Sequence, residues 1–219
     1  MKRPAPPARA HRAVLFDLGG VVLGSPLHAI ADFEREHGIE RGFVNRVVVA
    51  TGPEGAWGRL ERGLLDLEGF VPAFEAECLV AGRRVSARLM MQRMGEAARP
   101  RPAMLEAIAR IRAAGLLAAA LTNNWASEER DDGTRAVRGH FDAFFESSRL
   151  GLQKPDPRIY RHACRELGVE PREAVFLDDI GRNLKSARAL GMTTLKVDDP
   201  EDALRELEAV LGLPLRGTT

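Results

Sequence analysis

The feature that most constrains this chain is a set of apolar runs that each stop at polar or acidic residues: "AVLFD" at 13–17, "LLAAALTNN" at 116–124 and "AVFLDD" at 174–179. Short apolar runs without polar alternation suit strands covered on both faces. Helical patterns lie between them. "PAMLEAIARIRAAG" (102–115) gathers Met104, Leu105, Ile108 and Ile111 on one face and stops at Gly115. "DPRIYRHACRELG" (156–168) opens with Asp156 as N-cap and Pro157 as first helical residue, and ends at Gly168. "GRNLKSARALG" (181–191) lies between glycines, "TTLKV" (193–197) reads as another strand, and "DPEDALRELEAVLG" (199–212) as a closing helix. Strands alternating with helices of this length form parallel βαβ units. The expected fold class is therefore α/β, a Rossmann-like parallel sheet flanked by helices. Ligands of such sheets sit at the carboxyl ends of the strands. Asp17, Thr122, Asp178 and Asp179 should all gather there.

The stretch from about 25 to 100 breaks this rhythm. "PLHAIADFEREHG" and "LEGFVPAFEAECLVAG" are helical patterns, and "RVVVA" (46–50) has strand-like composition but helical neighbours. The expected organisation is a flexible tail at 1–12, an α/β core at 13–24 and 100–219, and a small helical cap at 25–99, inserted after the first strand. The 219 residues carry a formal charge of +1, which gives no basis for attraction to nucleic acid or a membrane surface. No apolar run approaches the ~20 residues of a membrane span, and "MKRPAPPARAHR" lacks the apolar centre of a secretory signal. Cys78 and Cys164 stand without a CxxC or nearby histidines, as core thiols in a reducing, cytoplasmic setting would. An apolar cap surface would be compatible with a homodimer.

The residues at the strand ends carry chemistry. Asp17 is followed by "LGG", whose backbone can approach an anion closely. Thr122 and Asn123 offer a hydroxyl and an amide. Lys154 precedes Pro155 and a helix start, and Asp178 and Asp179 are adjacent carboxylates with Asn183 a turn later. Hard oxygens in a cluster suit Mg²⁺, and adjacent acids need a cation or lysine to compensate them. A nucleophilic carboxylate, a lysine and Mg²⁺ together suit phosphoryl transfer through an aspartyl-phosphate. Each element alone has a plainer reading: Asp17 as a turn former, "LTNN" as a polar strand exit, "KPDP" as a helix cap, "DD" as a solvated turn. Their order, with three at apolar strand ends, favours the functional reading.

"FDLGGVV", "LTNN", "KPDPRIY" and "FLDDIGRN" resemble the four ordered motifs of the haloacid dehalogenase-like (HAD) hydrolase superfamily. More narrowly, "GPEGAWGRLERG", "TNNW", "FLDDIGRNLKSARALGMTTLKV" and "ALRELEAVLGLPL" are similar to the amino-terminal phosphatase domain of soluble epoxide hydrolases, and to the HAD domain fused to some acyl-CoA dehydrogenase family proteins. With Thr219 the last residue, epoxide hydrolysis is not among the expectations. The resemblance implies that Asp17 attacks phosphorus, and that Asp17, the Gly19 carbonyl and Asp179 bind Mg²⁺. It implies that Asp178 acts through a metal-bound water or pairs with Lys154, and that Thr122 and Asn123 hold phosphate oxygens. Lys154 would neutralise the nucleophile and the transferring group, and Asn183 would steady the surrounding ligands. The interval from Asn123 to Lys154 is too short for the family's other cap position.

One position departs from the pattern. Where typical phosphatases of the superfamily carry an Asp that protonates the leaving alcohol, this chain has Gly19. A positioned acid–base contributes typically ~10²–10⁴-fold, so its loss should weaken attack without abolishing it. His28, His37 and Glu54 are alternative proton donors by chemistry only. Trp57 and Trp125 would either line the pocket or be buried between core and cap. The expected activity is Mg²⁺-dependent hydrolysis of a small phosphorylated metabolite, with a lipid or acyl-type body as one option. The alternatives are a catalytically weak phosphate-binding module and a haloacid dehalogenase, whose chemistry needs no Mg²⁺.

Overall fold

Strand β1 (Ala13–Phe16) lies at the centre of the molecule because every side chain on it is apolar and none is exposed. The structure, a computed structural model, describes residues 10–125 and 133–217. Strand β2 (Leu117–Thr122) pairs with one side of β1, and β4 (Ala174–Asp178) with the other. Strands β3 (Ala143–Glu146) and β5 (Thr193–Lys196) complete a five-stranded sheet of order β3-β2-β1-β4-β5, parallel throughout. Along β1 the pleat sends Val14 and Phe16 to one face, and Ala13 and Leu15 to the other. Helices α6 (Pro102–Ala113) and α11 (Pro200–Leu211) cover the first face with Met104, Ile108, Leu204 and Leu207. Helices α9 (Pro157–Leu167) and α10 (Gly181–Ala189) cover the second with Ile159, Ala163, Leu184 and Ala187. Asp156 caps α9 by accepting the Arg158 N–H at 2.8 Å, and Gly168 ends it in the left-handed conformation.

Between β1 and β2 stand helices α1 (Pro26–Glu36), α2 (Phe43–Thr51), α3 (Ala56–Glu61), α4 (Leu67–Val80) and α5 (Ala87–Ala97). They enclose an apolar cluster of their own, built on Phe33, Phe43, Leu60, Phe70, Phe74 and Met90. "RVVVA" belongs to α2. Its valines favour strands locally, but burying Val44 and Val47 in this cluster decides the conformation. The chain leaves and re-enters the sheet at adjacent points: Gly24 N–H donates to Arg99 O at 3.0 Å, and Arg101 N–H to Val22 O at 2.9 Å.

Strand β3 has no counterpart among the expected strands. It is a four-residue edge strand with Ala143 and Phe144 only half buried, too short for its pattern to stand out. After it come a short helix α8 (Ser147–Leu150) and, before it, α7 (Thr134–Val137). Residues 1–9 of the expected tail lie outside the described residues. His11 and Arg12 are held: Arg12 N–H donates to Glu173 O at 2.7 Å, and the His11 ring lies 3.0 Å from Thr193 Oγ1. Cys78 is buried in the helical cluster and Cys164 against the sheet, and burial pushes their thiols up to about 12 and about 11. Among the described residues no helix is long and apolar enough to cross a membrane.

Candidate active site

At the carboxyl edge of the sheet, β1, β2 and β4 deliver Asp17, Thr122 and Asp178 side by side, as parallel register requires. The loop before α9 brings Lys154 beneath them. The Lys154 ammonium lies 2.9 Å from Asp17 Oδ1 and 2.7 Å from Asp178 Oδ2, with only 1% of the side chain exposed. Burial works against that charge, but the two carboxylates outweigh it and raise the pKa above the usual lysine value. Asp178 is further fixed by Ile180 N–H at 2.8 Å and by the Asn183 amide at 3.1 Å to each oxygen. Thus Asp178 pairs with Lys154, and Asn183 orients Asp178. Asp17 takes both its contacts on one oxygen, since the Leu18 N–H also donates to Oδ1, at 2.7 Å. Thr122 is buried, and both Thr122 and Gly19 line the cavity above these groups.

Asn123 is placed differently from a simple phosphate ligand. Its side-chain amide brackets the Lys154 backbone, accepting from the N–H at 2.8 Å and donating to the carbonyl at 3.0 Å. The same Nδ2 donates to Glu61 Oε2 of α3 at 3.1 Å. Glu61 Oε1 in turn accepts the Trp57 indole N–H at 3.0 Å, and the Glu61 carbonyl accepts the Ser147 hydroxyl at 2.6 Å. Glu61 therefore joins the helical insertion to the core at the site itself. The sequence expectations do not include Glu61, although "GAWGRLERG" carries a signal: Trp57 and Glu61 are four apart, on one helical face.

Of the expected proton donors His28, His37 and Glu54, one lines this cavity. His28 is exposed but lines the cavity; His37 bonds Phe33 O at 2.8 Å, outside the cavity lining; Glu54 is exposed and paired with Arg62 at 3.2 Å. The cavity of about 740 Å³ between core and helical insertion is lined by residues of the sheet's carboxyl edge below and by apolar side chains such as Leu27, Ile30, Val44, Val48 and Met94 above. Trp57 and Trp125 are half-buried; each lines this cavity and packs on the insertion's apolar cluster. Gly19 is closely packed: a Cβ there would stand 3.0 Å from the Pro26 ring, which would have to give by a few tenths of an ångström.

Carboxylate oxygens of Asp17, Asp178 and Asp179 lie within 4.8 Å of one another. Burial, reinforced by Asp178 and Asp179 and opposed by Lys154, pushes Asp17 up to about 8; burial and Asp178 push Asp179 up to about 6. Lys154, and Arg101 acting on Asp179, do not bring Asp17 and Asp179 back to ordinary carboxylate values. The buried Asn183 Oδ1 has no hydrogen-bond partner among the described residues, as an acceptor for a cation's hydration water would. This donor set fits a hard divalent cation.

Two expected results follow from these groups. Gly20 sits at φ +79°, and a Cβ there would run into the Asp179 carboxylate. Gly20→Ala should cost at least about 1–2 kcal/mol for the left-handed backbone alone, and should also weaken Mg²⁺ binding; urea denaturation and a Mg²⁺ titration check this. The second concerns pH. Asp17 in the folded chain holds a proton up to about 8, whereas the unfolded chain releases it at the ordinary 3.8. Stability of the metal-free protein from this group is thus full below about pH 4 and lost as pH rises toward 8. A cation that binds the ionised carboxylates reverses the penalty. The rise in Tm on adding Mg²⁺ should grow between pH 6 and 8; a pH-independent rise would contradict the assignment.

Fold and site together define a class: a parallel α/β sheet whose carboxyl edge presents an aspartate cluster tied by one buried lysine, beneath a helical insertion. The family model of the haloacid dehalogenase-like hydrolases matches residues 11–191. The chain belongs to that family. It is 38% identical over 210 residues to acyl-CoA dehydrogenase family member 10 of Mus musculus, covering 94% of this chain and 20% of that protein. It is 37% identical over 223 residues to bifunctional epoxide hydrolase 2 of Sus scrofa, covering 95% of this chain and 40% of that protein. The chain thus spans less than half the length of either relative. A HAD family enzyme of Bacteroides thetaiotaomicron, crystallised with magnesium and inorganic phosphate, superposes with a TM-score of 0.59 at 21% identity, over 85% of this chain and 93% of that one. At that identity the likeness shows the fold.

Proposed function

We propose that this hydrolase is a divalent-cation-dependent phosphatase that forms a phosphoaspartate on Asp17 and acts on small phosphate esters with an apolar body. The observation that carries the reading is the Lys154 ammonium held between Asp17 and Asp178, with Asp179 clustered alongside, at the floor of a largely apolar cavity. Asp17 has Oδ1 engaged by Lys154 and Leu18, which leaves Oδ2 as the attacking atom. Lys154 favours the ionised form of Asp17 against burial, and offsets charge on the transferring group. Thr122 and the main-chain N–H of Asn123 hold phosphate oxygens, while the Asn123 side chain fixes Lys154. Asp17, Asp179 and the Gly19 carbonyl would hold Mg²⁺, with Asp178 behind them; when bound, the ion supplies charge stabilisation to the phosphate oxygens. The Bacteroides enzyme's bound magnesium and phosphate supports this choice of ligand. The apolar wall suits an acyl or other hydrocarbon body.

The test is phosphate release from an aryl, an alkyl and an acyl phosphate, and halide release from a 2-haloacid, each with and without Mg²⁺. Mg²⁺-dependent phosphate release is expected. Halide release without Mg²⁺ would replace the phosphatase reading, and Mg²⁺-dependent phosphate binding without turnover would leave a binding module.

A further inference from the structure

We propose that Glu61, reaching into the site from the helical insertion, supplies the proton for the leaving group that Gly19 cannot supply. The inference rests on the phosphatase reading of the site. Gly19 leaves the nucleophile's own loop without a proton donor, and the Pro26 ring, 3.0 Å from where a Cβ would stand, crowds that position. The donor must therefore come from another wall of the cavity. Lys154 is locked between two carboxylates, 2.9 and 2.7 Å away. Glu34 has both oxygens committed to main-chain N–H groups of Gly42 and Val44, at 2.6 and 2.8 Å. Asp17 and Asp179 belong to the cation cluster, and His28 is exposed. Glu61 remains, lining the cavity with Asp17, Gly19, Thr122 and Lys154.

Its position is fixed from both sides. Trp57 holds Oε1 and Asn123 holds Oε2, and Asn123 is itself pinned to the lysine that touches the nucleophile. Each carboxyl oxygen receives a single side-chain hydrogen bond from these partners, so a lone pair is left for a proton. Burial favours the protonated carboxyl and outweighs the opposing influence of the Trp57 and Asn123 hydrogen bonds and of the Lys154 and Arg182 charges facing it from the core. Arg62, which follows Glu61 at the end of the helix, is paired with Glu54.

As the bond from Asp17 Oδ2 to phosphorus forms and the ester P–O bond breaks, the Glu61 carboxyl proton passes to the departing oxygen, releasing the alcohol. Glu61, now a carboxylate, takes a proton from the water whose oxygen attacks phosphorus in the phosphoaspartate. Inorganic phosphate leaves, Asp17 is regenerated as a carboxylate, and Glu61 is again protonated. An acid held on the insertion also ties proton supply to docking of the insertion on the core.

The experiment compares wild type with Glu61→Gln on alkyl phosphates and on aryl phosphates whose phenols need no proton to leave. In wild type, kcat/KM should depend only weakly on leaving-group pKa. In Glu61→Gln it should fall by about 10²–10⁴-fold on the alkyl esters and less than about tenfold on the activated aryl ester. The alkaline limb of the alkyl-ester pH profile should vanish with it. The aryl ester should give a burst of phenol equal to the enzyme present, because hydrolysis of the phosphoaspartate has lost its base. A steep leaving-group dependence already present in wild type overturns the proposal without any variant. Equal losses on both esters with no burst would make Glu61 a support for Asn123 and overturn it too. A wild type that releases phosphate from no ester overturns the phosphatase reading itself, and this inference with it.

Discussion

Replacing Lys154 with Met should lower stability by about 3–5 kcal/mol, the cost of removing one partner from a buried ion cluster. Methionine matches the length of the lysine stem, so the lost quantity is charge rather than packing. Asp178 is fully buried and Asp17 is only 10% exposed at its side chain. Without the ammonium, burial and the mutual repulsion of Asp17 and Asp178 go unopposed by their shared cation. The wild-type charge persists through neutral and alkaline solution, because the carboxylates raise the lysine pKa more than burial lowers it. The loss should therefore be present in mildly alkaline solution as well as at neutrality. For a chain of this size the melting temperature should drop by about 6–20 °C. Lys185→Met, on the exposed side of α10, serves as the control and should change little. A Lys154→Met protein that denatures at the wild-type urea midpoint would show that the cluster is balanced by something other than this lysine.

How far the site was legible depends on what each residue's position rests on. Asp17, Thr122 and Asp178 end apolar strands, and parallel register carries strand ends to one edge whatever the loops do. Lys154 was legible for a related reason: the Asp156–Pro157 cap fixes where α9 begins, and hence where the preceding residue enters. Glu61 has no such anchor. It lies on a six-residue helix whose contact with the core is set by tertiary packing, with Gly63 brought against the Ser148 carbonyl. Nothing in a helical pattern states which face meets the sheet's carboxyl edge. Asn123 shows a second limit. Its residue type suits a phosphate ligand, yet its side chain serves the Lys154 backbone, and only coordinates distinguish an amide facing ligand from one facing the chain. Strand β3 escaped notice because an edge strand buries one face and carries half the pattern.

Asp17→Asn should abolish phosphate release, by on the order of 10⁴–10⁶-fold, while raising the melting temperature of the metal-free protein by a few degrees. The two effects have one origin. A residue that attacks phosphorus must be a carboxylate, and a carboxylate buried beside Asp178 and Asp179 is held at a cost, visible in its pKa near 8. Asparagine removes the charge and keeps the shape: its Oδ1 still accepts from Leu18 N–H and from the lysine. The repulsion among the acids falls, and so does the tendency to bind a cation, so the Tm rise on adding Mg²⁺ should shrink in the variant. An acid that merely ends a strand predicts a different rate: it would lose little activity on substitution, while burial alone would still return stability. The rate therefore separates the two readings of Asp17, and the melting temperature reports the cost of holding a buried carboxylate there.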